Sequence, residues 1–144
     1  MAKTKSCCET GTDLSSTADA IMAVAVLALS SDGKLSAREF TAVTLMASQS
    51  PLFRDAEDIR DCVASVAETV ARLGREDALA QAVELLSPRM RETAYAWAVQ
   101  TVLADAKVLP NEHKFLSCLR KALGLHGILA GKIAAVVAIL NRVK

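Results

Sequence analysis

Two short acidic segments combine residue types and a spacing that could bind a metal ion. The first runs from Asp32 to Glu39 and the second from Asp105 to Glu112, and both follow the pattern D-x-K-[LV]-x-x-x-E. Asp and Glu supply the hard oxygen ligands that divalent cations prefer. If the two segments lie side by side, their four carboxylates predict a divalent-metal site formed by Asp32, Glu39, Asp105 and Glu112.

The same residues also have a purely structural interpretation. Ser36 and Glu39 have the spacing of a capping box, in which each side chain bonds to the other residue's backbone N–H at the start of a helix. Glu112 occupies the corresponding position after Pro110, where a carboxylate favours the positive end of the helix dipole. Asp32 and Asp105 fall in predicted tight turns, where Asp is common. Capping and metal binding therefore remain alternatives at this point.

No other motif in the sequence indicates catalysis, so we predict that the chain is not an enzyme. Residues 32–40 look like the second half of an EF-hand loop, but the first two ligand positions would be Ala28 and Ser30. His113 and His126 are the only histidines, and neither lies in an H-E-x-x-H motif. His113 does follow Glu112 directly, which leaves a His/Glu metal pair as a further alternative.

The four cysteines have the spacing of neither a zinc site nor a disulfide framework. Cys62 and Cys118 lie within apolar helical patterns, so we predict that both are buried as small hydrophobic side chains. Reduced thiols are typical of the cytosol, and the sequence therefore predicts a cytoplasmic location.

The acidic segments must be positioned by helices, because apolar residues recur at helical spacing between breaks that contain Gly, Ser or Pro. No charge occurs between Ala20 and Leu29, which predicts that the first helix is buried nearly all round. The run Ile133–Leu140 also predicts a buried core helix. The expected core comprises Ile21, Val24, Ala28, Val63, Val66, Trp97, Val102, Leu119, Ile133 and Val136. The predicted helices span about 13–31, 36–48, 55–73, 76–86, 88–105, 110–123 and 127–143.

Composition supports an all-α fold, because hydrophobic residues make up 52% of the chain and aromatic residues only 3%. The sequence predicts a disordered tail over residues 1–12 and one compact helical domain over 13–144. The net charge is +1, and no basic groove with interleaved aromatic residues occurs, which argues against nucleic acid as a partner. The apolar runs fall short of the roughly 20 residues that cross a bilayer, so we expect no membrane span.

The recurrence of the acidic pattern at two helix–turn–helix junctions predicts a pseudo-twofold repeat of two helical hairpins. These features also resemble a known family. The segment Ser31-Asp32-Gly33-Lys34-Leu35, followed by Glu39-Phe40, is similar to the TerB family associated with tellurite resistance. The degenerate second copy over 105–112, followed by Leu123-Gly124-Leu125, matches the family's arrangement as well. One departure is Ala106, where the family usually has Gly.

The resemblance implies a compact bundle of about seven helices in a bacterial cytoplasmic stress-response protein. It also implies a location at the periphery of the inner membrane beside an integral-membrane partner of the TerC type. Metal binding in that family would fall on Asp32, Glu39, Asp105 and Glu112. Two functions therefore remain open: a metal-binding or metal-sensing protein of the tellurite-resistance type, and a protein–protein interaction module that binds no metal.

Overall fold

The computed structural model of the chain describes residues 14–30, 34–103 and 110–142, with the side chains of 110–113 outside that description. As the sequence predicts, this part of the chain forms seven α-helices and no strand. The helices are α1 (Thr17–Leu29), α2 (Ala37–Ser48), α3 (Ile59–Leu73), α4 (Arg75–Leu85), α5 (Pro88–Leu103), α6 (Pro110–Leu123) and α7 (Gly127–Leu140).

Helix α1 occupies the centre of the bundle. Every residue from Ala20 to Val26 has no exposed surface, and α1 packs most extensively against α5 and α4 and then against α3, with smaller contacts to α2 and α6. Ser16 begins the helix, because its hydroxyl accepts a hydrogen bond from the backbone N–H of Asp19 at 3.0 Å. The prediction that this apolar helix is buried all round is confirmed.

The first residue of a helix is determined by its capping side chain, and hydrophobic periodicity alone placed two helix starts too early. Helix α1 begins just after Ser16 rather than near residue 13, since the Ser16 hydroxyl provides the cap. Helix α3 begins at Ile59 rather than near residue 55, because the Asp58 carboxylate accepts from the N–H of Asp61 at 3.2 Å. The residues between α2 and α3 include a single 3₁₀ turn over Pro51–Phe53.

Most of the predicted core is confirmed. The residues expected in the core that are buried are Ile21, Val24, Ala28, Val63, Val66, Trp97, Val102 and Leu119. Trp97 contacts Phe53 with ring centroids 6.0 Å apart in a tilted arrangement, which ties the 3₁₀ turn to α5. Cys62 is also buried as predicted, whereas the prediction for Cys118 is wrong, because that side chain lies exposed on α6.

The largest error of the sequence prediction concerns α7. We predicted a buried core helix, but only Ala130 and Val137 are buried on it. Ile133 is half-buried, and Val136 is 56% exposed. The reason is that α7 packs chiefly against one neighbour, α5, so that one side of the helix is covered and the other is not.

Several predictions fall outside the residues that the structure describes. These are the disordered tail over residues 1–12 and the two acidic turns, of which 31–33 and 104–109 are not described. The pseudo-twofold repeat of hairpins therefore stays a prediction. Within the described ranges, no helix combines the length and the apolar character that a membrane crossing needs.

Among the residues that the structure describes, two glycines end helices with positive φ angles. Gly124 (φ +72°) follows α6, where its N–H and that of Leu125 donate to the carbonyls of Lys121 and Arg120 in a Schellman motif. Gly74 lies between α3 and α4 with φ +88° and ψ 159°, a region that is essentially restricted to glycine. An added Cβ would meet no atom within 4 Å at either position, so a substitution there is opposed by the backbone alone.

We therefore expect Gly124→Ala to lower the free energy of unfolding by about 1–2 kcal/mol, the cost of a left-handed non-glycine residue. Gly74→Ala should cost at least as much, roughly 1–3 kcal/mol, because its conformation is rarer for residues that have a Cβ. Urea unfolding of both variants measures this. Gly131→Ala on α7, where no positive φ occurs and an added Cβ would also meet no atom within 4 Å, is the control and should not destabilise. Equal stability of the wild type and Gly74→Ala would contradict the described turn.

Candidate functional site

Of the four predicted metal ligands, Glu39 is the one whose side chain the structure describes. Asp32 and Asp105 lie outside the described residues. Glu112 lies on the first turn of α6, but its side chain is also outside the description. The structure therefore neither brings the four carboxylates together nor separates them, and the four-carboxylate site stays a prediction.

Glu39 forms the capping box that the sequence predicts. Its Oε1 accepts from the backbone N–H of Ser36 at 2.9 Å, and the Ser36 hydroxyl accepts from the backbone N–H of Glu39 at 3.1 Å. These two bonds satisfy backbone donors that the first turn of a helix would otherwise leave to solvent. The structural interpretation of Glu39 is thus confirmed. It is compatible with metal binding, since a carboxylate has about four acceptor positions and the capping bond uses one.

Phe40, the residue after Glu39, contacts the neighbouring helix at the start of α2. The Phe40 ring lies beneath the guanidinium of Arg60, whose central carbon is 5.4 Å from the ring centroid. Because Arg60 belongs to α3, this contact joins the start of α2 to its neighbouring helix.

The described side chains include no grouping of three or more His, Cys, Asp or Glu residues that could hold a metal ion. Burial raises the pKa of Tyr95 on α5, and the nearby positive charge of Arg120 partly opposes that shift.

A shallow depression of about 390 Å³ lies at the start of α5. It is lined by Ser87, Arg89, Met90, Glu92 and Thr93, of which Ser87 caps the helix by accepting from the N–H of Met90 at 3.3 Å.

The surface feature that sequence reasoning missed is the exposed side of α7. Ile128 is 78% exposed and Ile139 is 53% exposed. Another large apolar side chain that is exposed is Leu45, which lies on α2. We define the α7 outer face as Ile128, Lys132, Ala135, Val136 and Ile139, with Leu140 at its margin; all six are exposed.

These positions share one side of the helix, because residues at i, i+4, i+7, i+8 and i+11 lie one above another at 3.6 residues per turn. The buried residues Ala130 and Val137 lie on the opposite side, toward α5. The outer face presents apolar surface on the order of 400 Å², which is comparable to the largest apolar patch on a typical monomer, and such patches are often functional.

One residue of the sequence does signal this orientation. The central run of α1 from Ala20 to Leu29 carries no charge, whereas Lys132 directly precedes the apolar run Ile133–Leu140 of α7. A lysine needs to keep its ammonium group in water, so the side of the helix that contains it is the exposed side. The residues one turn before and after Lys132, Ile128 and Val136, are indeed exposed.

Comparison with known proteins identifies no relative of this chain. No protein-family profile, no curated protein and no solved structure matches the chain significantly.

The capping box generates a prediction that also separates capping from cation binding. We expect Ser36→Ala to lower the free energy of unfolding by about 1 kcal/mol, because it removes the hydroxyl that bonds to the helix. Glu39→Gln should cost less, since Gln also serves at this position of a capping box. Urea unfolding of both variants and the wild type measures the difference.

Metal binding is tested by the melting temperature of the same proteins, measured with and without millimolar Ca²⁺, Mg²⁺, Mn²⁺ or Zn²⁺. A bound cation stabilises the folded state by mass action, so a metal site that uses Glu39 predicts a rise in the wild type that Glu39→Gln lacks. A wild-type melting temperature that none of these cations changes would leave capping as the whole role of Glu39.

Proposed function

We propose that the chain is a non-enzymatic interaction module that docks to a partner through the α7 outer face. The single observation that carries this proposal is the exposure of Ile128, Val136, Ile139 and Leu140 on one helix. Singly exposed apolar residues are ordinary on protein surfaces, whereas an apolar patch of this size is often functional.

The packing of the bundle supports this assignment. The buried residues of α7 are Ala130 and Val137, which anchor the helix on α5, and the Asn141 amide donates to Gln100 Oε1 at 2.9 Å beside them. The side chains of the outer face contribute little burial to the fold, so their apolar character has another cause. Exposure of apolar side chains carries a cost in water, since their transfer to an apolar environment is favourable. Docking to an apolar partner surface recovers that free energy.

Site-specific photo-crosslinking in cells that express the full chain tests the proposal. A photoreactive amino acid replaces Ile139 in one variant and Leu45 in another, because the two side chains are similarly exposed and lie on different helices. We expect adducts from the position of Ile139 and not from the position of Leu45, detected by mass spectrometry of the purified chain. Adduct formation that is equal at the two positions, or absent at Ile139, would contradict docking through α7.

A second candidate function follows from the resemblance to the TerB family. We propose that the turn before α2 binds a divalent cation, in a stress response of the tellurite-resistance type beside a membrane partner of the TerC type. The observation that favours it is the Glu39 carboxylate, which the capping box holds in a defined orientation at a half-buried position, seven residues after Asp32 in the sequence. The cation dependence of the Glu39→Gln melting temperature, described above, decides between this candidate and capping alone.

A further inference from the structure

The charges of the chain are divided unevenly along the sequence. All 16 acidic residues precede His113. Six of the 17 basic residues follow it, namely Lys114, Arg120, Lys121, Lys132, Arg142 and Lys144. Beyond the first turn of α6, the segment that forms α6 and α7 therefore has basic side chains and no acidic one. The chain as a whole is nearly neutral.

The positive charge coincides with the exposed apolar patch. Lys132 lies on the α7 outer face between Ile128 and Val136, and Arg142 is exposed just past the end of the same helix. Lysine and arginine side chains can lay their alkyl stems along apolar surface while their charged ends remain in water. An apolar surface that carries basic side chains and no acid can place its apolar side chains at the boundary between lipid headgroups and acyl chains while its charged ends contact anionic headgroups.

We propose that the α7 outer face binds the surface of an anionic lipid membrane, with Ile128, Val136, Ile139 and Leu140 at the acyl boundary and Lys132 and Arg142 at the headgroups. This inference rests on the proposed docking function and names its partner. The helix lies in the plane of the membrane surface, and its opposite side stays packed on α5.

Two other occupants fit the same face less well. A second copy of the chain would place one α7 against another, and the contact would take Lys132 out of water with no acidic side chain on the facing α7 to pair with it. The first 13 residues of the chain hold one large apolar side chain, Met1, and are otherwise small, polar or charged. That segment has too little apolar surface to cover the patch.

Electrostatic attraction to anionic lipid also predicts how binding depends on conditions. Basic residues are attracted to the negative surface potential of acidic headgroups, and this attraction decays over a Debye length of about 10 Å at 0.1 M salt. Insertion of the apolar side chains adds a part of the affinity that salt does not screen. The two contributions can therefore be separated by lipid composition, by salt and by substitution.

The test is co-flotation of the full chain with vesicles of phosphatidylcholine alone and of phosphatidylcholine with about 30% phosphatidylglycerol. We expect binding to the anionic vesicles at about 0.1 M salt, at least a tenfold weaker partition onto the neutral ones, and a decrease at higher salt. The variant Ile128→Ser/Ile139→Ser should lose about tenfold or more of its binding to anionic vesicles. Lys132→Glu should weaken that binding several-fold and leave the neutral vesicles unaffected.

Leu45→Ser is the matched control, because Leu45 is 58% exposed on α2 and Ile139 is 53% exposed on α7. It should bind anionic vesicles as the wild type does. All of the substituted side chains are exposed, so unchanged urea unfolding curves are expected and verify that the variants are folded. Loss of vesicle binding without loss of stability then assigns the effect to the surface.

Three outcomes would overturn the lipid proposal. The first is a wild type that binds neither kind of vesicle, and the second is equal binding to neutral and anionic vesicles. The third is a concentration-dependent dimer in sedimentation that Ile128→Ser/Ile139→Ser abolishes, since a second copy would then occupy the face. If the position of Ile139 crosslinks to a protein and the chain binds no vesicles, the docking function stands and the partner is a protein rather than a membrane. Failure of both experiments would remove docking itself.

Discussion

The burial of α1 is the constraint on which the rest of the structure depends. A helix without an exposed atom from Ala20 to Val26 requires neighbours on every side, and α2 to α6 provide them. Helices at the periphery can therefore turn an apolar stripe inward and leave a polar side in water, as α3 does with Val63, Val66 and Val70. The polar cap at Ser16 completes the arrangement, because it satisfies backbone donors where the chain enters the core.

Helix α7 lies outside this arrangement, and that position gives the molecule its distinctive surface. Five helices already surround α1, so α7 packs on the outer side of α5 and buries Ala130 and Val137 there. An apolar helix that is covered on one side leaves its other side exposed. The features from which a function is proposed are the α7 outer face and the capped start of α2 at Glu39, and both lie outside the buried core.

The sequence predicted the structure best where a local interaction decides the outcome. The capping box at Ser36 and Glu39 and the glycine at the end of α6 were identified because each depends on a few neighbouring residues. The burial of α7 was predicted wrongly, because the run Ile133–Leu140 is apolar throughout and has no polar stripe to orient it. Its exposure depends on where α5 lies, which is a long-range property. Lys132 was the available local signal. The approach of the two acidic turns likewise depends on tertiary packing, and no pattern within one segment determines it.

Native-state hydrogen exchange tests most directly the claim that α1 organises the fold and that α7 is attached to its outside. Amides in α1 should exchange only through global unfolding, because opening that helix exposes the whole core. Amides in α7 should exchange through a smaller opening of lower free energy and lower denaturant dependence, since few of its side chains are buried. Protection of α7 equal to that of α1, with the same denaturant dependence, would contradict this account.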